Sequence, residues 1–379
     1  MMAERLDASC KDLTSSSRDI LNYTATTGMP CLRERLAAMF DTHLFRGHTE
    51  KTNPDHIFVA AGASAVISML SLTLFDEGDS VLIPAPYYAG FDTDFTTVAG
   101  VVTVPVQFPL ECKYRLQKDC LEAAFVSSTA AGNRPKALLI NNPNNPLGSA
   151  YKTSDLRMAH QWCKEKGIHL ICDEVFSLSV WEQNPSPFAS LPVALGEDFD
   201  DHCHVIWAAS KDLCASGLRL GTLYTKNAAL MSALANCNLM SMASNLLQVA
   251  VARMLSDETW VADFLDCNRK ALKSCYDELC KTLPTVQVPV TPACGGVFVW
   301  ADFRQHLAAQ TFEEERRLYR CLVTAGVLLT PGEACHCAQP GFFRVCYAWV
   351  SQDFFDQALK RIIRGISKYK PTVGGGECG

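Results

Sequence analysis

The sequence predicts an α/β protein, with a mostly parallel seven-stranded sheet flanked by helices and a smaller α+β domain at the C-terminal end. Three observations lead there. Between about residues 57 and 225, short apolar runs alternate with segments of helical spacing, the rhythm of a parallel sheet wrapped by helices. After about residue 226 the pattern becomes helical, and a second, shorter group of apolar runs follows. The chain has 379 residues, 48% hydrophobic and 20% charged, enough to bury one large core and a smaller one.

The strands of the large sheet are read at 57–60, 80–83, 101–104, 137–140, 169–172, 205–208 and 220–224, each a brief apolar run, several ending in polar or turn residues. Residues 65–75 and 154–166 have the apolar spacing and polar flanks of surface helices. Further helices are expected at 246–255 and 261–283, and a second set of strands at 296–300, 326–329 and 342–346. The expected organisation is an N-terminal arm over residues 1–30 belonging to the small domain or a dimer contact. A large domain over 31–258 and a small one over 259–370 follow, and 371–379 form a flexible tail whose Gly374-Gly375-Gly376 run cannot build a core.

Composition excludes several classes. A net charge of −6 with no basic run argues against a nucleic-acid partner. No apolar run reaches the length of a membrane span, and Met1 to Asp7 lack the core of a signal peptide. Eighteen cysteines are scattered through apparent strands and helices, which suits a reducing, cytoplasmic setting. Cys335-His336-Cys337 has no second pair at finger-like spacing, so it reads as buried thiols beside a loop and no metal is expected.

Four segments carry candidate chemistry. In Ser210 to Gly221, Lys211 follows an apolar strand and is expected at the sheet edge, buried and partly desolvated. Such an amine loses its proton easily and can form a Schiff base with an aldehyde cofactor. Ser210 and Arg219 offer a hydroxyl and a guanidinium fork suited to phosphate. Ala61-Gly62-Ala63-Ser64-Ala65 joins a strand to a helix N-terminus, where small residues admit an anion to free N–H groups; alone it is equally a tight turn. Asn141 to Gly148 is an ordinary Pro/Asn turn by composition, or places Asn145 as a donor to a ring hydroxyl. In Cys172-Asp173-Glu174-Val175-Phe176, Asp173 suits pairing with a pyridine nitrogen, or caps the next helix.

In order and spacing these segments, with Pro84 to Asp92 and Pro340 to Cys346, resemble the class I/II aminotransferase family of fold type I pyridoxal-phosphate enzymes. They are most similar to the 1-aminocyclopropane-1-carboxylate synthase-like subgroup, over roughly residues 20–365. The resemblance implies pyridoxal 5'-phosphate as cofactor and an α-amino acid as substrate. It gives Lys211 the covalent bond to the cofactor and then the proton transfers at the substrate's α-carbon. It pairs Asp173 with the pyridinium nitrogen, Asn145 with the ring hydroxyl and Tyr88 with the ring face. Ala63 (through its N–H), Ser64, Ser210 and Arg219 hold the phosphate, with Tyr23 reaching it from the neighbouring subunit of a homodimer, and Arg344 clamps the substrate carboxylate.

The chain also departs from that pattern. Phe176 stands where the family usually has a tyrosine that donates to the cofactor's ring oxygen. Thr26 replaces a tyrosine of the synthases, Thr93 a basic residue, and about twenty residues precede Tyr23 where relatives carry a longer segment. The reading that fits best is a carbon–sulfur lyase acting on an S-substituted amino acid. An aminotransferase with a keto-acid acceptor is the alternative, and a non-catalytic cofactor-binding protein the second.

Overall fold

The computed structural model describes residues 1–11, 13, 20–181, 188–348 and 352–369. The expectation for the 371–379 tail falls outside them. Its first part contains α1 (Met2–Cys10), α2 (Pro30–Met39), β1 (Ile57–Ala60), α3 (Ala63–Leu74), β2 (Asp79–Pro84), α4 (Gly90–Ala99), β3 (Val102–Val106) and α5 (Lys118–Ala130). Next come β4 (Arg134–Asn141), α6 (Thr153–Lys166), β5 (His169–Asp173), α7 (Leu191–Leu195), β6 (Cys203–Ala208), α8 (Ala209–Asp212) and β7 (Gly221–Thr225). The remainder holds α9 (Ala228–Cys237), α10 (Asn245–Leu255), α11 (Glu258–Thr282), β8 (Phe298–Asp302), α12 (Phe312–Thr324), β9 (Thr330–Pro331), β10 (Phe342–Cys346) and α13 (Gln352–Lys368).

The large sheet has the order β1-β7-β6-β5-β4-β2-β3, parallel except that β7 runs antiparallel to both its neighbours. Successive side chains of a strand point to opposite faces, and here both faces are apolar. Val205 and Trp207 enter one core with Leu138, Ile140, Leu170 and Cys172, while Ile206 and Ala208 enter the other with Ala137, Leu139 and Ile171. Double-sided burial is what a parallel sheet requires, and it explains why these strands read as continuous apolar runs.

The small sheet is antiparallel in the order β8-β10-β9, with a separate core that includes Leu318, Leu322, Phe303, Phe343 and Tyr347. The strand expected at 326–329 lies instead at Thr330–Pro331. Gly326, at φ +89°, ends α12, and the N–H groups of Gly326 and Val327 bond back to Val323 and Leu322. Those donors close the helix and are lost to a ladder, so pairing with β10 starts only at Thr330 opposite Arg344. Helix α1 packs beside α10, where Arg5 reaches the Met254 carbonyl at 3.5 Å, pairs with Asp257 at 3.0 Å and lies over the Trp260 ring at the start of α11.

Parallel register puts the carboxyl ends of β4, β5 and β6 side by side: Asn141 stands opposite Asp173, and Asp173 opposite Ile206. The crevice beyond such strand ends is where open α/β sheets collect ligands. The small domain closes over it. The Tyr87 N–H bonds Cys335 O at 2.9 Å, and His336 Nε2 lies 2.6 Å from Asp92 Oδ2 while its ring stacks on Tyr87. Cys335 and Cys337 are buried, as expected for thiols beside a loop.

Candidate active site

A cavity of about 340 Å³ opens at those strand ends. Nine of the ten residues singled out by sequence line it: Ala63, Ser64, Tyr88, Asn145, Asp173, Ser210, Lys211, Arg219 and Arg344. Tyr23 does not. It is 92% exposed on this chain, away from the cavity.

Lys211 is carried by the one-turn helix α8, which directly continues β6. That turn buries Ala209 and Asp212 and leaves Lys211 exposed on the cavity side, so the expectation of a buried, desolvated amine is corrected. Asp212 faces the interior, accepting from Trp207 Nε1 at 2.9 Å and from the Leu178 N–H at 3.0 Å.

The two adjacent carboxylates of β5 separate in the same way. Asp173 lines the cavity and accepts from the Val175 N–H at 3.2 Å. Glu174, fully buried, turns toward Ser190 and the Leu191 N–H. Burial pushes Asp173 up to about 7, Asp94 nearby adding to the rise and Lys211 opposing it. Burial likewise raises Glu174 to about 8 and Asp212 to about 7.

One end of the cavity is shaped for close approach of an anion. Gly62 adopts φ +97°, and a Cβ there would lie 2.4 Å from Arg219 Nη2. A Cβ on Gly221 would fall 2.3 Å from the Gly62 carbonyl carbon and 2.5 Å from Ala63 N. The two glycines thus bring the start of α3, with its free N–H groups, against Arg219. The guanidinium is held by Ser216 O at 3.0 Å, and Ser64 Oγ donates to Asp94 Oδ2 at 3.2 Å. Gly90 serves Tyr88 similarly, since a Cβ there would sit 2.3 Å from the phenol ring.

At the other end, Arg344 of β10 reaches across from the small domain. Its Nη1 donates to Asn145 Oδ1 at 2.9 Å and its Nη2 to Thr330 Oγ1 at 3.0 Å, while Nε is buried without a partner. Asn145 has its backbone N–H on Asn141 Oδ1, and its amide N–H groups remain available to a ring oxygen. Phe176 and Phe298 form an apolar wall, their rings edge-to-face at 5.1 Å, and the Arg344 guanidinium lies 5.6 Å from the Phe298 ring.

These residues fit pyridoxal phosphate. The glycine cradle with Arg219 suits a phosphate, the buried Asp173 carboxylate calls for a cationic partner, and Arg344 retains an unpaired donor. Sequence reasoning assigned no role to several participants. Asn141 holds both Asn145 N and, through Nδ2, Asp173 O at 2.9 Å. It sat inside a quoted motif whose chemistry was given to Asn145. Thr330 becomes a partner of Arg344 only through strand pairing, and Asp94 lies just past the Pro84–Asp92 segment.

Comparisons with known proteins agree with this geometry. Residues 3–362 match the family described as aminotransferase class I and II. The chain is 32% identical over 367 residues to 1-aminocyclopropane-1-carboxylate synthase 1 of Oryza sativa subsp. indica, covering 95% of this chain and 74% of that one. It is 34% identical over 362 residues to 1-aminocyclopropane-1-carboxylate synthase of Glycine max, covering 94% and 74%. Among solved structures, Thermus thermophilus aspartate aminotransferase with maleate superposes with a TM-score of 0.81 at 23% identity, over 96% of this chain and 88% of that one. The aromatic aminotransferase of Pyrococcus horikoshii OT3 gives 0.83 at 21%, over 96% and 92%. These two show the fold.

Two predictions follow from the geometry. Gly221→Ala is expected to cost about 1–3 kcal/mol, because the new methyl meets backbone on the opposite segment. It should also weaken cofactor retention, read by denaturant midpoint and by cofactor release on dialysis. The second concerns pH. Folding raises the Asp173 pKa, so the folded protein holds a proton that the unfolded chain loses. Its contribution is present in the acid range and is lost as pH rises through about 7, with a slope limit of about 1.4 kcal/mol per pH unit. Cofactor-free Asp173→Asn should therefore lose less stability than wild type between about pH 5 and pH 8; parallel urea-midpoint curves would contradict this.

Proposed function

We propose, for a chain that belongs to the aminotransferase class I and II family, a carbon–sulfur lyase reaction on an S-substituted α-amino acid. The chain is a pyridoxal-phosphate-dependent enzyme of the lyase or transferase kind, and among its described residues no helix is long and apolar enough to cross a membrane. The observation that carries the finer reading is the Phe176–Phe298 wall. The cations lining the cavity are Lys211, Arg219 and Arg344, and each has a place in the cofactor and α-carboxylate sites. A substrate side chain then meets aromatic and aliphatic surface, which suits a thioether or sulfonium better than a second carboxylate.

When bound, pyridoxal phosphate supplies an electron sink conjugated to the substrate's α-carbon. Arg344 holds the substrate carboxylate with the donors left over from Asn145 and Thr330, fixing which α-bond is presented to the amine. Lys211 takes the proton from that α-carbon, and the carbon–sulfur bond at the β-carbon breaks with its electron pair leaving on sulfur. Asp173 and Tyr88 line the cavity, where Asp173 would hold a proton at the cofactor's ring nitrogen and Tyr88 would cover its face. Homodimerisation, with Tyr23 serving the neighbouring cavity, belongs to this reading. The high exposure of Tyr23 together with Leu21, Leu239 and Met240 supports it.

The test is release of thiol and pyruvate from a cysteine S-conjugate, measured beside transamination. The expected result is release that needs no keto acid and falls by about 100-fold or more in Lys211→Ala. Strict dependence on a keto acid would assign the chain to transamination. A further prediction concerns Phe176. A hydroxyl added there would donate to the cofactor's ring oxygen and favour its deprotonated form. Phe176→Tyr should therefore lower the pH midpoint of the bound cofactor's absorbance, and an unchanged midpoint would show the hydroxyl to be irrelevant.

A further inference from the structure

Away from the cavity, α6 and the loop before β6 bring together three metal-type donors that no role in the reaction uses. His160, Asp200 and Cys203 place an imidazole nitrogen, a carboxylate oxygen and a thiol sulfur within 4.8 Å of one another. His160 and Cys203 are buried, and Asp200 sits at the rim with its side chain about a third exposed. A cavity of about 280 Å³ is lined by His160 and Asp200, together with Cys163, one helical turn after His160, while Cys203 is fully buried and outside its lining.

We propose that His160, Asp200 and Cys203 bind a divalent zinc ion, with water from the adjacent cavity completing the coordination. The argument rests on donor type, spacing and access. Imidazole, thiolate and carboxylate together are the ligand set of tetrahedral zinc, whose bonds of about 2.0–2.3 Å hold donor atoms roughly 3.5 Å apart. His160 Nε2 and Asp200 Oδ2 are already 3.4 Å apart. The Cys203 sulfur lies within 4.8 Å of both the His160 nitrogen and the Asp200 oxygen, so small side-chain adjustments bring the three donors onto one dication. The loop is preset for it: the His202 N–H donates to Asp200 Oδ1 at 3.0 Å and the Cys203 N–H to Asp200 O at 3.3 Å.

The sequence spacing serves the same end. His160 and Cys163 are three apart on a helix and share a face, and Asp200 and Cys203 are three apart across the turn into β6. Cys203 is the first residue of the strand that leads to Lys211, about 17 Å from its other end at Ala208. The role is therefore structural: zinc would tie α6 to the root of the strand that carries the lysine.

The experiment uses the cofactor-loaded protein stripped with a chelator, then titrated with zinc chloride against a competing chelator. Several exposed cysteines, among them Cys10 and Cys267, offer competing thiols, so the readout is the difference from variants. Wild type is expected to bind one zinc more tightly than the rest and to gain thermal stability from it. His160→Gln and Cys203→Ser should each weaken that ion by more than the roughly 10–100-fold typical of an outer-shell loss, and abolish the thermal gain. Cobalt(II) should give a thiolate charge-transfer band that Cys203→Ser removes. Should Cys203→Ser fail to retain cofactor, Asp200→Asn at the exposed rim gives the same comparison. Equal zinc affinity and equal thermal response in wild type, His160→Gln and Asp200→Asn would overturn the site.

Discussion

Both faces of the central strands are covered by apolar side chains, so a polar group carried by one of them reaches the cavity only where the strand ends. Because β4, β5 and β6 are parallel and in register, their ends coincide, and Asn141, Asp173 and the α8 turn with Lys211 arrive at one place. The chemistry is a consequence of that register. A slip of one residue in β5 would exchange Asp173 for Cys172 or Glu174 and invert which side chain meets the cavity.

The fate of the buried carboxylates follows from the same constraint. Asp173, Glu174 and Asp212 are all buried and all held toward the protonated form, yet only Asp173 lines the cavity. Glu174 accepts from Ser190 and the Leu191 N–H, and Asp212 gathers Ser177, Trp207 and the Leu178 N–H on its Oδ2, locking the segments after β5 and β6. Asp173 makes one such bond and keeps capacity for a cationic partner. A raised pKa marks all three, and the direction of each side chain separates the supporting groups from the one available to a ligand.

Much of this was legible in the sequence. The runs at 57–60 and 342–346 coincide with β1 and β10, and the remaining large-sheet strands differ from their expected limits by at most three residues at either end. A parallel strand buried on both faces announces itself by composition. The failures share a different cause. The misplaced strand at 326–329 and the exposure of Lys211 depend on how helix ends and tertiary contacts spend N–H groups and surface. Gly221 likewise looks like any strand glycine until the turn at Gly62 is seen pressed against it.

The site divides along the same line, and the division explains why the cofactor is easier to read than the reaction. Residues suited to the phosphate and ring come from strand ends and turns of the large domain, each inside a short local motif. The substrate's surroundings are composite. Arg344 comes from the small domain and is oriented by Asn145 of the large one and by Thr330 across the small sheet, and Phe176 of one domain packs on Phe298 of the other. No contiguous stretch of sequence contains such a pair. The angle at which the substrate's bonds meet Lys211 is fixed by how the two domains dock, through Arg344–Asn145 and the Tyr87–His336–Asp92 stack. On the proposed reading, selection among reactions at the α-carbon would rest on this domain interface and not on the residues suited to the phosphate and ring.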